Sequence, residues 1–164
     1  MIADAAPKRS ALYAIKRWMY RTGRPNWLAR AMNRVSAVQF ARGLAPHQWV
    51  TLQVRGRRSG RLISFPLVLT EYGGERYLVA MLGQNANWVH NVRAAHGRAV
   101  LRHGRTEEVR LVEIEPAARA PILRQYLEVA PGARPHLPVR RGAPLAAFER
   151  IAADFPVFQV RSVD

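Results

Sequence analysis

The stretch WVTLQVRGRRSGRLISFPLVLT, residues 49–70, decides the fold. Residues 49–54 are rich in β-branched and aromatic side chains, and residues 62–70 form a second, mostly apolar run. Between them Gly56 and Gly60 enclose a short basic turn, so the whole stretch predicts a β-hairpin. Pro66 interrupts the second strand, and because proline has no N–H for a ladder it predicts a strand edge or a bulge there.

Strand and helix signals alternate along the rest of the chain. Gly73-Gly74 marks a turn, Asn87 is the expected cap of a short helix, and Pro116 takes the favoured first position of a longer one. The remaining predicted elements are a strand at 77–82, a helix at 87–95, strands at 99–103 and 106–114, a helix from 116 with Ile122, Leu123, Tyr126 and Leu127 on its buried stripe, an ordered loop at 130–143, a helix at 145–153 and a strand at 157–160. This order predicts an α+β fold that is mainly β: a six-stranded, mostly antiparallel barrel with flanking helices.

The composition narrows the possible functions. The chain has 164 residues and no cysteine, which excludes disulfides, thiolate catalysis and cysteine–zinc sites. It has 26 basic and 11 acidic residues, and 24 of the basic ones are arginine. The choice of arginine over lysine also fits a GC-rich genome, but the excess charge does not follow from that bias. A net charge of +15 attracts polyanions: nucleic acid, an anionic membrane, or a multiply charged cofactor.

Over half of that net charge lies in residues 1–45. This segment is predicted to form two basic amphipathic helices, around Leu12–Met19 and Leu28–Val38. The domain division expected from this is an N-terminal helical extension at 1–45 followed by a barrel domain at 46–164. No apolar run is long enough for a signal peptide or a membrane span, so a cytoplasmic protein is expected. The helices either pack on the barrel or contact the inner face of the cell membrane.

Two loops are suited to anions. In the hairpin tip, the guanidinium groups of Arg57 and Arg58 and the hydroxyl of Ser59 are able to hold phosphate or carboxylate oxygens. The alternative is a solvated turn whose arginines contact nothing. The second loop, 82–88, leaves an apolar strand and enters a helix at Asn87-Trp88, where free amides favour an anion or a polarised carbonyl and Trp88 is able to flank a flat ring. An ordinary helix start with a core tryptophan fits the same residues.

The sequence lacks the residue patterns required for metal binding, for catalysis by paired carboxylates or a nucleophilic serine, and for nucleotide binding. The five histidines have no ligand spacing, so no metal site is predicted, and the scattered acidic residues give no carboxylate pair. Ser59 is not in the central position of a nucleophile elbow. No dinucleotide or P-loop fingerprint is present. The chain has the positive charge that nucleic-acid binding requires but no recognition motif, so nucleic-acid binding is not expected.

Three segments together resemble the deazaflavin-dependent nitroreductase family, split-barrel oxidoreductases of actinobacteria that use coenzyme F420 within a wider flavin and deazaflavin superfamily. They are the G-R-x-S-G hairpin at 56–60, the strand–loop–helix at 77–93 with Asn-Trp and Asn-x-Arg-Ala elements, and the closing Phe-Pro-Val-Phe at 155–158. The resemblance runs from about Trp49 to Val160. It implies that F420 is the cofactor and that its reduced form passes a hydride to a conjugated acceptor such as a quinone or a nitro compound.

The resemblance also implies which residues hold the cofactor. The hairpin would bind its phosphate and acidic tail, the second and third strands its ring, and the start of the following helix would close the site. Carried over to this chain, the cofactor-binding residues are Arg57, Arg58, Ser59, Gly60, Arg61, Phe65, Pro66, Leu67, Ala80, Met81, Leu82, Gly83, Asn87, Trp88, Asn91 and Arg93. No catalytic side chain is assigned, since the cofactor carries the chemistry.

The chain departs from the family pattern at three places. The loop after Gly83 is shorter than in the best-known nitroreductase branch and lacks its lysines. Many members have an arginine three residues after the second hairpin glycine, where this chain has Ile63 and where Arg61 is the nearest substitute. The tyrosine cluster of the nitroreductase branch is replaced by residues 133–138. Two alternative functions remain open: an FMN-binding split-barrel protein, and a non-catalytic, membrane-associated carrier of a lipophilic ligand or cofactor. The exposed faces of the barrel also leave homodimer formation open.

Overall fold

The computed structural model describes residues 47–163. The predicted helices at Leu12–Met19 and Leu28–Val38 lie outside these residues. Within them the strands are β1 (Trp49–Arg55), β2 (Leu62–Tyr72), β3 (Glu75–Val79), β4 (Arg98–His103), β5 (Arg105–Glu113) and β6 (Val157–Ser162), and the helices are α1 (Asn87–Ala94), α2 (Pro116–Val129) and α3 (Leu145–Ile151), with a 3-10 turn at Pro131–Ala133. None of the helices in this part of the chain is long and apolar enough to cross a membrane.

The strands close into an antiparallel barrel in the order β1-β2-β3-β6-β5-β4. The hairpin predicted from residues 49–70 is confirmed, because Arg55 pairs with Leu62 and the ladder continues to Trp49 and Val68. The barrel fold expected from the sequence is therefore confirmed.

The barrel is split on one side, along β2. Residues 62–68 of β2 pair with β1, whereas only residues 69–72 pair with β3. Pro66 lies in the half that has a paired neighbour on one side alone, which agrees with the strand edge predicted for it. The open edge of this half faces the segment that follows β3, and a cleft forms between them.

Two apolar clusters fix the helices against the barrel. Inward-facing residues of the strands, among them Leu52, Leu78 and Phe158, pack with one face of α1, which closes an end of the barrel. Outward-facing Val79 and Val157 pack with α2 and α3 in a second cluster. Because successive residues of β3 enter different clusters, both of its faces are apolar, as its sequence predicts.

Most strand and helix boundaries differ from the predicted ones by one or two residues, and two of the differences lie next to the cleft. The third strand was expected to run to Leu82, but β3 ends at Val79. The N–H of Ala80 still donates to the carbonyl of Pro156 opposite, and the chain then turns, because the N–H of Gly83 donates back to the carbonyl of Ala80 and Gly83 has a φ of 78°. The expected cap of α1 was Asn87. Instead Ala86 is the residue before the helix, Asn87 is already helical, and no side chain caps this end.

Candidate active site

An apolar cleft of about 180 Å³ lies at the split of the barrel. One wall is the open edge of β2 and the other is the segment after β3. The lining residues are Phe65, Pro66, Leu67, Val68, Val79, Met81, Leu82, Ala86, Asn87, Trp88, Tyr126, Ala130, Gly132 and Ala133. Aromatic and aliphatic side chains dominate, so the cleft favours a flat, largely apolar group.

The start of α1 contributes both packing and polarity to this cleft. Trp88 is only 6% exposed and packs on Phe158 inside the barrel, with ring centroids 5.3 Å apart. It also lines the cleft, so it serves as a core residue and as a wall at once. The first amides of a helix have no carbonyl partner within the helix, and the end that carries Asn87 is therefore suited to a polarised carbonyl or an anion.

The arginine hairpin is held in a tight turn. The N–H of Gly56 donates to the carbonyl of Arg61, and that of Gly60 donates to the carbonyl of Gly56, each at 2.8 Å. Gly60 has a φ of 65°, which favours glycine, and a Cβ on Gly56 would stand 2.7 Å from Ile63 Cδ1, so the Ile63 side chain would have to shift. The apolar Ile63 side chain thus packs beneath the turn.

The charged side chains of this turn point outward. Arg58 and Arg61 are exposed, and neither guanidinium has a hydrogen-bond partner among residues 47–163. The Ser59 hydroxyl accepts a hydrogen bond of 3.3 Å from the N–H of Arg61. The tip therefore offers two unpaired cations at one point of the surface.

Asn91 connects the hairpin to α1. It is 3% exposed, and its Oδ1 accepts hydrogen bonds from the backbone N–H of Arg57 at 3.2 Å and from the Arg57 guanidinium at 3.0 Å. Two residues that the sequence assigned to one site thus do lie together. The helix α1 has eight residues and is about 12 Å long, with the apolar cleft at its N-terminal end and a basic groove at its C-terminal end. Asn91 lies between the two.

A basic groove of about 700 Å³ opens at the C-terminal end of α1. The pairing of β1 with β4 stops at Gln53 and Val100, and the strand ends beyond this point separate. The groove is lined by residues that include Arg55, Arg57, Arg98 and Arg110, with Glu108 the acidic residue among them. None of these four arginines forms an ion pair within residues 47–163.

The arginines on the barrel wall of the groove face one another. Arg98 of β4 is the cross-strand partner of Arg110 of β5, and Arg110 in turn pairs with Arg161 of β6, which does not line the groove itself. Like charges placed directly opposite each other destabilise a sheet. Three arginines in one row therefore form a concentrated positive surface that an anionic ligand would neutralise.

Arg93 lies apart from both cavities. Its guanidinium forms a two-pronged ion pair with Glu113, at 2.7 and 2.9 Å, and a hydrogen bond to Gln84. Glu113 also pairs with the buried Arg119, and this neighbourhood lowers the pKa of Glu113, chiefly through the hydrogen bond from Arg93. The network joins the end of β5, the start of α2 and the loop before α1.

The structure thus places the predicted site residues in four groups, apart from Asn91, which accepts hydrogen bonds from Arg57. Phe65, Pro66, Leu67, Met81, Leu82, Asn87 and Trp88 line the apolar cleft, with Ala80 and Gly83 in the adjoining turn. Arg57 and Gly60 line the basic groove. Arg58, Ser59 and Arg61 form the exposed tip of the hairpin. Arg93 belongs to the ion-pair network.

Sequence reasoning missed several residues of these cavities. Tyr126, Ala130, Gly132 and Ala133 form the side of the cleft that comes from α2 and its following turn. The sequence predicted Tyr126 only as part of the buried stripe of its helix. A helix that faces a core and one that faces a cavity have the same apolar pattern in sequence. Arg110 was predicted only as a residue of the strand 106–114, and Arg98 lies just before the predicted strand 99–103. Only the cross-strand register, which the sequence does not contain, places them together.

The residues present fit an extended anionic cofactor with a flat ring. The apolar cleft matches a heteroaromatic ring, and the hairpin tip and basic groove match a phosphate and carboxylate tail. In residues 47–163 no group of three or more histidine, aspartate or glutamate side chains is arranged to hold a metal ion. A split antiparallel barrel with a place for a ring and a place for an anionic tail is the arrangement that the resemblance to the deazaflavin-dependent family implies.

Comparison with known proteins makes the assignment specific. The sequence model of a family described as F420H(2)-dependent quinone reductase matches residues 27–138. The match covers more than half of the chain, and the chain belongs to this family. It is accordingly an F420-dependent oxidoreductase, and the resemblance found in its motifs is confirmed. No curated protein sequence matches this chain.

Solved structures share the fold at low sequence identity. A conserved hypothetical protein, Rv2991 from Mycobacterium tuberculosis, is 14% identical with a TM-score of 0.53, over 79% of this chain and 81% of that one. A structure described as a domain-swapped dimer is 19% identical with a TM-score of 0.50, over 82% and 97%. The protein Atu2129 from Agrobacterium tumefaciens is 15% identical with a TM-score of 0.52, over 84% of this chain and 55% of that one. At these identities the likeness concerns the barrel alone.

Proposed function

We propose that this enzyme binds reduced F420 with the ring in the apolar cleft and the anionic tail across the arginine hairpin, and that it reduces a quinone. The observation that carries the proposal is the placement of the cleft and the basic groove at opposite ends of α1, with the Asn91–Arg57 contact between them. A long cofactor with one apolar and one anionic end matches this order.

The side chains have separate tasks in this arrangement. Trp88, Phe65 and the open edge of β2 flank the ring and exclude water from one face. Arg57 and Arg58 neutralise the phosphate, and Arg98 with Arg110 extends the positive surface towards the carboxylates of the tail. Arg93 acts at a distance by holding Gln84, whose amide donates to the carbonyl of Ala153 and so fixes the loop before α1.

When bound, reduced F420 supplies a hydride from its ring carbon. The chain's own contribution is to position this carbon beside an acceptor and to stabilise the negative charge that develops on the acceptor. The apolar lining of the cleft favours a flat, conjugated acceptor over a hydrophilic one. A quinone has this chemistry and is our first candidate, and a nitroaromatic compound is the second.

Fluorescence titration with F420 tests the binding mode. Arg58→Ala and Arg57→Ala should each raise the Kd about tenfold or more, because each removes one charge-assisted hydrogen bond of about 1.5–3 kcal/mol. Arg102→Ala is the matched control, since Arg102 is exposed on β4 and lines neither cavity. Unchanged affinity in both hairpin variants, or tighter binding of FMN than of F420, would refute the proposed site.

Reduction assays test the acceptor. We expect reduced F420 to be oxidised faster by a naphthoquinone than by a nitroaromatic compound or a hydrophilic dye at equal concentration. A clear preference for the nitro compound would replace the quinone in the proposal. Because binding is measured separately, a failure of the acceptor assignment is distinguishable from a failure of the cofactor site.

We also propose that residues 1–45 contact anionic membranes, where lipid quinones reside. The support is the net charge of this segment, which carries nine basic residues and one acidic residue. Sedimentation of the full chain with vesicles tests it: binding to vesicles with anionic lipid and none to zwitterionic vesicles is expected. The same purified protein should be examined for homodimer formation by analytical ultracentrifugation.

A further inference from the structure

Tyr126 brings a polar group to a cleft whose lining is otherwise mostly apolar. The residue is 4% exposed, lies on α2 and lines the cleft. Its hydroxyl makes no hydrogen bond within the described part of the chain. Buried phenols usually find a partner, so an unpartnered one beside a ligand cavity indicates that the ligand supplies the partner.

The hydroxyl is deeply buried but not completely inaccessible. Among the described residues, Thr70 is the one whose side-chain oxygen is fully buried and unpaired, so the unpaired Tyr126 oxygen keeps a small accessible surface. The cavity that Tyr126 borders is the apolar cleft.

Tyr126 also differs in kind from the other polar side chains of the cleft. Asn87 and Trp88 belong to the start of α1, whereas Tyr126 comes from α2. It is the one lining residue with a hydroxyl group, since its neighbours on that side are Ala130, Gly132 and Ala133. A molecule that lies against the α2 side of the cleft thus meets a single hydrogen-bond donor.

We propose that Tyr126 donates a hydrogen bond to the oxygen of the acceptor that gains electron density, and so selects acceptors that carry a carbonyl or nitro oxygen. This inference rests on the proposed function. When a hydride reaches a quinone, an electron pair moves onto a carbonyl oxygen, and a donor placed there stabilises the developing negative charge. A proton from solvent then completes the hydroquinone, while reduced F420 is oxidised.

Tyr126 acts as a hydrogen-bond donor and not as the source of that proton. Burial raises the pKa of Tyr126 far above the usual value of a phenol, because a tyrosinate would be poorly solvated in this cleft. Losing its proton during turnover would therefore be costly. The hydroxyl keeps its proton throughout, and the acceptor oxygen is hydrogen-bonded before and after the hydride arrives.

Tyr126→Phe tests the inference, with Tyr77→Phe as the matched control. Tyr77 is a buried tyrosine of the same outer cluster, but it does not line the cleft. We expect Tyr126→Phe to bind F420 within about twofold of the wild type and to lose about 10–100-fold in kcat/KM for a naphthoquinone. Tyr77→Phe should leave this ratio unchanged. A kcat/KM for Tyr126→Phe within twofold of the wild type would overturn the inference.

A readout without turnover uses protein labelled with ¹³C at the tyrosine Cζ atoms. The chain has five tyrosines, and the Tyr126 signal is identified by its absence in Tyr126→Phe. Adding the naphthoquinone to the cofactor-free protein should shift this signal, and adding naphthalene, which has no oxygen, should not. Equal shifts with both compounds would contradict a hydrogen bond. Failure of the wild type to bind F420 would instead refute the proposed function.

Discussion

The amide oxygen of Asn91 accepts two hydrogen bonds from Arg57, one from its backbone N–H and one from its guanidinium. The contact spans 34 positions in sequence and joins a buried residue of α1 to the arginine hairpin. It therefore orients a charged loop from within the core. Because Arg57 borders the basic groove and α1 also borders the apolar cleft, this pair links the walls of the two cavities.

Replacing Asn91 should uncouple the hairpin from the barrel. Asn91→Leu keeps the volume but leaves the Arg57 N–H without its acceptor, which we expect to lower the free energy of unfolding by about 1–3 kcal/mol. The affinity for F420 should fall at least as much as in Arg57→Ala. Chemical denaturation and fluorescence titration measure the two effects. Asn85→Ala is the control, an exposed asparagine in the loop before α1. Wild-type affinity in Asn91→Leu would show that the hairpin is oriented independently.

Gly132 offers a way to block the ring cleft without disturbing the core. It lines the cleft, and a Cβ built on it meets no atom within 4 Å. Gly132→Phe should fill the cavity and abolish binding of F420, whereas binding of inorganic tripolyphosphate to the hairpin and groove should persist. Gly132→Ala, which adds only a methyl group in open space, should behave like the wild type. Retained F420 binding in Gly132→Phe, measured by fluorescence, would move the ring site elsewhere.

Local patterns in the sequence were sufficient for most of the fold. The turn at Gly60, the Gly73-Gly74 turn and the start of α2 at Pro116 each follow from a residue whose backbone preference acts locally. The end of β3 was misjudged because residues 80–82 are apolar, yet they lie beyond the strand, and Met81 and Leu82 line the cleft. An apolar run has the same pattern in a strand and in a cavity wall, so the sequence could not separate them.

The site was predictable only where the residues carry charge or belong to a motif. Arg57 and Asn91 were both assigned to the site, but their hydrogen bond depends on how α1 packs against the hairpin. The row formed by Arg98, Arg110 and Arg161 depends on strand register, which the hairpin signals alone do not fix beyond adjacent strands. The place of Tyr126 in the cleft was not predictable, because it depends on the orientation of α2, and tertiary packing sets that orientation.

The carboxylate of Glu107 joins three neighbouring strands and should make stability depend on acidic pH. It accepts hydrogen bonds from Arg76 at 2.6 and 2.9 Å and from the Ser162 hydroxyl at 2.7 Å. The Arg76 hydrogen bond is the main cause that lowers the pKa of Glu107 from 4.5 to about 2. Because the pKa is lower in the folded state, the stabilisation is complete above pH 4.5 and is lost as the pH falls towards 2.

Glu107→Gln should therefore lower the free energy of unfolding by about 1–2 kcal/mol at pH 7 and flatten its decline between pH 4.5 and 2. Urea denaturation across this range measures both. Glu149→Gln, an exposed acidic residue on α3, should change neither quantity. An acid decline as steep in Glu107→Gln as in the wild type would mean that other carboxylates, such as Glu113, dominate it.

The row of Arg98, Arg110 and Arg161 should lower the stability of the barrel and raise its affinity for the anionic cofactor. Arg98 faces Arg110 across the ladder, so Arg98→Thr removes a like-charge contact and adds a residue that strands favour. We expect the free energy of unfolding to rise by about 0.2–1 kcal/mol while F420 binds more weakly and with a smaller dependence on salt. Arg102→Thr is the matched control, because its cross-strand partners are Thr51 and Thr106 and not arginines. A gain in stability with unchanged affinity would mean that the row repels without binding, and that the cofactor tail ends at the hairpin.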